Sequence, residues 1–245
     1  MTAARRFFVE GACKAGSIVE IGGGDAHKIV RVLRLQEGDR IEVIDSTGAV
    51  FTTSIAAAGR IVRATLVERI DGNAAVHPGP RIEVAQAVPK GQRMEFVVEK
   101  GTELGAASFF PFFCERSAGR SLGAEKIARW RRLARTAAQQ CGRRDVPEIS
   151  DALSFDGLIE RFAQYDSVLF AWELADAVPL RETLPAALRG ARRVLLVVGP
   201  EGGFTHDEAE AARKRGAAML WLGPRILRTD TAALALLAVI GALAS

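Results

Sequence analysis

From residue 81 onward, short apolar runs alternate with segments of helical spacing. Three of the runs, Val168–Ala171, Val194–Val198 and Met219–Leu222, are continuous, and the last two run directly into Gly-Pro. Such runs are typical of strands buried on both faces of a parallel sheet. With further strands over Ile82–Val88 and Ala107–Phe113, they predict an α/β fold with helices on both faces of the sheet.

The segments between the strands predict the helices. Helical spacing indicates helices over Gln92–Leu104, Glu125–Cys141 and Phe155–Ala163. Another helix opens at the capping box Thr205-His206-Asp207-Glu208 and is expected to end near Gly216. Within the aromatic strand, Pro111 is expected to interrupt the pairing, because proline has no N–H to donate.

The tail, Ala232–Ala244, is almost wholly apolar and helical by composition. A helix that is apolar all round must be buried. At roughly fifteen residues it is too short to span a bilayer, which takes about 20. It is therefore expected to be a core helix or part of a subunit interface, and we predict a homodimer.

The first 72 residues follow a different pattern. Short alternating or β-branched stretches without βαβ spacing predict a small β-barrel, with one helix over residues 26–33 that Asp25 would cap. Residues 73–80 are rich in Gly and Pro and predict a linker. The expected domains are therefore 1–72, a β-barrel, and 81–245, an α/β domain.

Two glycine loops follow the last two predicted strands, Gly199-Pro200-Glu201-Gly202-Gly203 and Gly223-Pro224-Arg225. In open α/β sheets ligands bind outside the carboxyl ends of the strands, and glycine lets main-chain groups approach them. The loops predict a ligand site made largely of main chain, with simple tight turns as the alternative. Valine at Gly199 or Gly223 is expected to abolish binding. No Gly-Lys-Ser/Thr sequence is present, which excludes a P-loop, and no acidic residue ends the strand before Gly223, which argues against a dinucleotide fold.

The composition indicates a chain that can bury a sizeable hydrophobic core and that carries a mild positive charge. The chain has 245 residues, 49% of them hydrophobic, with a net charge of +4. Its three cysteines are far apart with no CxxC, and its histidines lack metal spacing, so neither a disulfide framework nor a metal site is expected. No signal peptide is visible, and we expect a cytoplasmic protein with no membrane association.

Basic residues occur in clusters rather than in a tail, which favours RNA as a partner over a merely solvated helix face. Lys28, Arg31 and Arg34 are spaced to share one helix face, and a second helical stripe passes through Arg132. The expected RNA-binding residues are Arg5, Arg6, Lys28, Arg31, Arg34, Arg132, Arg143 and Arg144.

Six ordered motifs together resemble the ribosomal RNA small-subunit methyltransferase E family. They are the Arg5-Arg6-Phe7-Phe8 sequence, the His27–Arg34 segment with Gly38-Asp39, Glu99–Gly105, Ala138–Arg144, GPEGGFT from Gly199, and LGPRILRTDTAA from Leu222. The resemblance spans nearly the whole chain. One departure is Asp230, where the family pattern has Glu.

The resemblance implies a SPOUT-class enzyme that uses S-adenosylmethionine to methylate N3 of a uridine in 16S ribosomal RNA, within the small ribosomal subunit. It also implies a trefoil knot, threaded from Gly223 onward, and a PUA-like RNA-binding barrel at the N-terminus. The implied cofactor-binding residues are Trp172, Gly199, Pro200, Glu201, Gly202, Leu222, Gly223, Ile226, Leu227 and Arg228.

The roles of the charged residues in these loops remain open at this point. Arg228 and Asp230 are the candidate catalytic pair, but they could equally form a salt bridge that fixes the loop. Glu201 could orient the substrate or cap the helix that follows. A non-catalytic RNA-binding protein and a SPOUT ribose 2′-O-methyltransferase acting on tRNA are the alternative functions.

Overall fold

The computed structural model describes residues 5–70, 79–174, 178 and 180–243. The chain divides into two compact units. The described residues of the first are 5–70 and 138–145, and those of the second are 79–137 and the rest of the C-terminal part. Most of the expected linker, residues 73–78, lies outside the described residues, and the predicted domain boundaries stay predictions.

The N-terminal unit is built on a five-stranded sheet in the order β1-β3-β4-β5-β2. Its β1 pairs parallel with β3, and the other pairs are antiparallel. The two edge strands β1 and β2 do not pair in the part of the chain described, so the expected barrel is an open half-barrel. The strands are β1 Arg6–Phe8, β2 Ile18–Ile21, β3 Arg40–Ile44, β4 Val50–Ala57 and β5 Val62–Arg69.

The helix of this unit differs from the prediction. It begins as α1, Gly23–His27, and continues as a wider π-helical turn over Lys28–Val32, in which the Leu33 N–H donates to Lys28 O at 2.8 Å. Gly22, rather than Asp25, occupies the N-cap position, and Asp25 accepts hydrogen bonds from Gln139.

This geometry changes the placement of the basic side chains. In a π-helical turn, residues that share one face of the helix are further apart in sequence than in an α-helix. Arg34 lies beyond the turn, with a φ of +53°. The predicted shared helix face of Lys28, Arg31 and Arg34 is therefore wrong.

The C-terminal unit contains a seven-stranded, wholly parallel sheet in the order β12-β10-β11-β6-β7-β8, with β9 also paired to β7. The predicted α/β fold with a parallel sheet is confirmed. The strands are β6 Arg81–Ala87, β7 Ser108–Phe113, β8 Glu148–Ile149, β9 Leu153–Ser154, β10 Ser167–Ala171, β11 Arg193–Val198 and β12 Ala218–Leu220.

Helices cover both faces of this sheet, as predicted. Alternation along β11 explains why: Val194, Leu196 and Val198 face one core, whereas Leu195 and Val197 face the other. The first core also receives α2 Arg93–Glu103, α3 Ala124–Cys141, α5 Leu180–Leu188 and α7 Thr229–Leu243; the second receives α4 Phe155–Ile159 and α6 His206–Lys214. The helix α5 had no counterpart among the predicted elements.

The aromatic strand β7 continues through Pro111, so the expected interruption is wrong. Its partner on one side changes along its length: β8 pairs with Ser108 and Phe109, and β9 pairs with Phe112 and Phe113. Pro111 lies between the segments paired with β8 and β9. On that side of β7, its missing N–H therefore removes no hydrogen bond to a neighbouring strand.

The last helix, α7, buries one stripe rather than its whole circumference. Thr229, Ala232, Ala233, Leu236, Leu237 and Ile240 are buried, while Val239 and Leu243 are 39% and 54% exposed. Among the described residues, which end at Leu243, α7 is therefore a core helix along one side only, as the expectation of a core or interface helix allows. The exposed apolar face leaves the predicted homodimer, like the predicted knot, a prediction.

No helix in the described part of the chain is long and apolar enough to cross a membrane.

Candidate active site

A cavity of about 490 Å³ lies at the carboxyl ends of β10, β11 and β12. Parallel strands end at the same edge of a sheet, so the segments that follow them converge there. The cavity is lined by residues 171–173, 198–204, 221–229 and Ala232. The strand β12 ends at Leu220, two residues earlier than predicted, which frees Trp221 and Leu222 to form part of the wall.

All ten residues expected to bind the cofactor line this one cavity. They come from three segments that are separate in sequence, and the fold brings them together. Ile226 is 94% exposed, an unusual position for a branched apolar side chain on a cavity wall. Among the described lining residues Asp230 does not appear, so the two candidate catalytic residues are placed differently.

Side chains from outside the glycine motifs hold the first glycine loop in place. The carboxylate of Glu201 accepts hydrogen bonds from the Lys90 backbone N–H at 3.0 Å and from Arg93 at 2.6 Å. Arg116 donates to the carbonyl oxygens of Gly202 and Phe204 at 3.1 and 3.3 Å. The loop is thus fixed from two directions, and the Glu201 side chain is engaged in that tether.

Glu201 does not cap the helix that follows, so that alternative is wrong. The cap of α6 is the predicted capping box: Thr205 Oγ1 accepts from the Glu208 N–H, and the Glu208 carboxylate accepts from the Thr205 N–H. The sequence pattern identified this cap because the reciprocal bonds join residues only three positions apart.

The two loop glycines are required for different reasons. A Cβ on Gly199 would lie 2.8 Å from the Phe204 ring, so this glycine permits close packing of an aromatic side chain rather than approach of a ligand. Gly223 has a φ of +102°, with nothing within 4 Å of where its Cβ would stand. Its glycine is required by the left-handed backbone conformation. The expectation that a Cβ at Gly199 would block a ligand path is therefore corrected.

Trp172 adds a buried polar atom to the residues that line the cavity. Its side chain is 3% exposed, and its ring centroid lies 5.8 Å from that of His206. Its Nε1–H is buried and has no hydrogen-bond partner among the described residues. Buried indole N–H groups usually have an acceptor, so this donor is suited to a ligand that carries one.

Arg228 and Asp230 form no ion pair in the described structure, so the alternative of a salt bridge between them is wrong. Arg228 is exposed on the cavity wall, and its carbonyl oxygen accepts from Ala232 N–H at 2.9 Å. Asp230 lies in the first turn of α7, where the helix dipole favours a carboxylate. One of its oxygens is buried without a hydrogen-bond partner in that part of the chain.

Three cationic side chains beside the cavity were missed from the sequence. Arg225 lines the wall, while Arg93 and Arg116 contact the first glycine loop. They stand singly in sequence, in three different segments, and no local pattern distinguishes them from ordinary surface residues. Arg225 and Arg228 line the cavity, whereas the charge of Arg93 is paired with Glu201.

The predicted RNA-binding residues lie mainly in the N-terminal unit, and only Arg132 belongs to the other unit. Arg5, Arg31, Arg34 and Arg132 are exposed. Arg6 instead pairs with Glu42 and donates to Gly142 O, and Arg143 pairs with Asp145. The Nζ atom of Lys28 lies 5.8 Å from the centroid of the Phe7 ring, and Arg144 is half-buried. The RNA-binding role of all eight stays a prediction.

Comparison with known proteins adds independent evidence. Residues 77–241 match the model of an RNA methyltransferase domain, and residues 21–62 match that of an RNA methyltransferase PUA domain. The ribosomal RNA small subunit methyltransferase E of Bacillus subtilis is 31% identical over 246 residues, covering 96% of this chain and 95% of the relative.

Two solved structures cover 98% of this chain, each with a TM-score of 0.85. One is a ribosomal RNA small subunit methyltransferase E from Neisseria gonorrhoeae bound to S-adenosyl methionine, at 25% identity. The other is a protein from Legionella pneumophila with the bound cofactor SAM, at 29% identity. The α/β unit with its glycine-lined cavity, the half-barrel and these matches agree, and the chain belongs to the ribosomal RNA small subunit methyltransferase E family.

Proposed function

We propose that the cavity binds S-adenosylmethionine and that the protein methylates N3 of a uridine in 16S ribosomal RNA, within the small ribosomal subunit in the cytoplasm. The observation that carries the proposal is the convergence of the segments at Trp172, Gly199 and Gly223 on one cavity. Two solved relatives hold the same cofactor.

The residues present fit that cofactor. A volume of about 490 Å³ lies within the range of about 300–1,000 Å³ found for small-molecule sites. Leu222, Ile226 and Leu227 offer an apolar surface to the adenine, and the main chain of the two glycine loops offers hydrogen-bonding groups. The unpartnered Trp172 N–H is an additional donor.

Bound S-adenosylmethionine supplies an electrophilic methyl group on a positively charged sulfur. The protein must hold the uracil N3 in line with the bond between that sulfur and the methyl group. N3 carries a proton at pH 7, so the base is a poor nucleophile until that proton passes to water. N3 also lies on the Watson–Crick edge, so the uridine must be unpaired or flipped out of a helix to reach the cavity.

Arg228 is the first candidate for activating the base. Its guanidinium is always charged and is exposed on the cavity wall, where it can donate to the uracil carbonyl oxygens as negative charge develops. Donors in such positions typically contribute about 10²–10³ in rate. Asp230, the second candidate, does not line the cavity, so its unpartnered carboxylate oxygen is proposed to position the loop rather than to contact the base.

The surrounding surface suits a polyanion. Arg116 contacts the first glycine loop and Arg225 lines the cavity, and both are exposed and can contact the phosphates that flank the target uridine. We propose that the N-terminal unit, residues 1–72 in the predicted domain division, binds RNA further from the target uridine. The exposed apolar face of α7, with Val239 and Leu243, suits the interface of a homodimer.

Nucleoside analysis of ribosomal RNA tests the proposal. A strain lacking this protein should lack one 3-methyluridine in its 16S RNA, and the wild-type gene should restore it. If 3-methyluridine persists in the deletion strain, or if a 2′-O-methylated ribose disappears instead, the proposed reaction is wrong.

The role of Arg228 needs a matched control, which Arg225 provides. Both arginines line the cavity in the same loop. In single-turnover assays, Arg228→Ala should lower the rate at saturating RNA by about 10²–10³, whereas Arg225→Ala should mainly weaken RNA binding. Equal rate constants for Arg228→Ala and wild type would remove Arg228 from the chemistry while leaving the reaction intact.

A further inference from the structure

A buried polar side chain connects the middle of the sheet to both walls of the cavity. Gln86, near the end of β6, is 0% exposed and lies outside the cavity lining. Its Nε2 donates to Thr229 Oγ1 at 2.7 Å and to Ala87 O at 3.1 Å. The Thr229 hydroxyl in turn donates to the carbonyl oxygen of Gly199. Three segments far apart in sequence are thereby joined by one chain of hydrogen bonds.

The donors and acceptors in this series of hydrogen bonds can be arranged in only one way. The Gly199 carbonyl can only accept, so the Thr229 hydroxyl must donate to it. That hydroxyl then needs a donor from Gln86, and only the amide nitrogen supplies one. The flipped amide would place its oxygen against the Ala87 carbonyl and against a hydroxyl that has already given its proton. The arrangement is therefore unique.

A glutamine at position 86 lowers the stability of the fold relative to an apolar side chain. Its neighbours on the strand, Val84, Ala85 and Ala87, are fully buried and apolar. Its Oε1 is buried without a hydrogen-bond partner in the described part of the chain, and an unmade bond of this kind is unfavourable. An apolar side chain of the same length, such as methionine, would fill the position without that cost. The amide of Gln86 is thus better explained by its orientation of the Thr229 hydroxyl than by a contribution to folding stability.

Thr229 links the Gln86 amide to the loops that line the cavity. It follows Arg228 directly, begins α7, and lines the cavity. Its hydroxyl donates a hydrogen bond to the Gly199 carbonyl oxygen, and its backbone joins the end of the loop that carries Arg228 to α7. A rotation of this one side chain would disturb both glycine loops together.

We propose that Gln86 is a positioning residue for the active site. It holds the Thr229 hydroxyl in the rotamer that fixes the Gly199 carbonyl, and it thereby sets the relative placement of the two cofactor loops. The inference rests on the proposed function, because it assigns those loops to S-adenosylmethionine.

Three variants test the proposal, with S-adenosylmethionine affinity measured by calorimetry and thermal stability measured without the cofactor. Gln86→Met should melt at the wild-type temperature or above it, yet bind the cofactor about fivefold or more weakly, the equivalent of one hydrogen bond. Thr229→Val, which removes the hydroxyl at nearly constant volume, should weaken binding at least as much. Thr229→Ser, which keeps the hydroxyl, should bind within about twofold of wild type.

The double variant Gln86→Met/Thr229→Val separates positioning from two independent structural effects. If Gln86 acts through Thr229, the double variant should bind no more weakly than Thr229→Val alone. Additive losses in affinity, or wild-type affinity in Gln86→Met, would overturn the inference. So would a Gln86→Met protein that melts lower and binds normally, because its role would then be structural.

The same assay distinguishes this inference from the proposed function. Wild-type protein that binds no S-adenosylmethionine would overturn both. Wild-type binding together with an unchanged Gln86→Met variant would overturn the positioning role alone.

Discussion

Replacing Gly199 with alanine tests why the first glycine loop begins with glycine. The added Cβ would stand 2.8, 3.0 and 3.3 Å from the Cε2, Cδ2 and Cζ atoms of the Phe204 ring. Ordinary contacts of this kind are no closer than about 3.5 Å. The ring or the loop must therefore move by several tenths of an ångström.

The Phe204 ring has little room to move. It is 2% exposed, and its centroid lies 4.2 Å from that of Phe170, 5.9 Å from Phe155 and 6.2 Å from Phe112. Overpacking of such a core typically costs about 1–3 kcal/mol. For a chain of this length each kcal/mol corresponds to roughly 2–4 °C in melting temperature. We expect Gly199→Ala to melt a few degrees lower and to bind S-adenosylmethionine more weakly, because the strained loop lines the cavity.

A compensating variant identifies the cause. Phe204→Leu should destabilise the protein by itself, since aromatic contacts contribute about 0.5–1.5 kcal/mol beyond area burial. In the double variant Gly199→Ala/Phe204→Leu the smaller side chain leaves space for the new methyl group. The combined loss should therefore fall short of the sum of the single losses by about 0.5 kcal/mol or more.

Gly223→Ala is the matched control. Its Cβ would meet open space, but its φ of +102° strains any side-chain-bearing residue. Phe204→Leu should give it no relief, because the strain lies in its own backbone. Urea unfolding followed by circular dichroism measures the three single variants and the two double variants, in which Gly199→Ala or Gly223→Ala is combined with Phe204→Leu. Strictly additive losses for Gly199→Ala with Phe204→Leu would refute the packing explanation.

The remaining predictions concern pH, salt and assembly. Burial raises the pKa of Glu83, but hydrogen bonds from Tyr165 and Arg81 and the charge of Arg193 outweigh it, so the pKa lies below its usual value. Glu83→Gln should therefore cost roughly 1–3 kcal/mol at neutral pH, a difference present above the unfolded pKa of about 4.3 and lost as pH falls through the lower folded value. Urea titrations of both proteins from pH 7 to pH 3 check this, and a gap that stays constant over that range would contradict it. RNA affinity should fall with salt with a log–log slope of about −0.7 per phosphate contact, and Arg225→Ala should reduce that slope by about one contact; an unchanged slope would exclude a phosphate contact at that residue. Val239→Lys should convert the expected dimer to a monomer in light scattering, and a wild-type monomer at micromolar concentration would rule out the dimer.

The sequence alone predicted five of the seven strands and most of the helices of the C-terminal unit, together with the loops that line its cavity. The apolar runs before Gly199 and Gly223 and the capping box at Thr205 are local patterns, and each depends on residues within one turn or one strand. The glycine loops pointed to the ligand site because loops at the carboxyl ends of parallel strands must gather at one edge. The family resemblance added the cofactor and the reaction, which no periodicity encodes.

The tertiary structure decided how that site is held. Gln86 and Thr229 are 143 positions apart, and the tethers from Arg93 and Arg116 to the loop at Gly202 cross 108 and 86 positions. These contacts depend on the strand order β12-β10-β11-β6-β7, which local patterns do not specify. For the same reason the sequence could not reveal that Gly199 makes room for a phenylalanine ring: hydrophobic periodicity indicates which face of a strand is buried, but only the folded chain places one particular side chain against another.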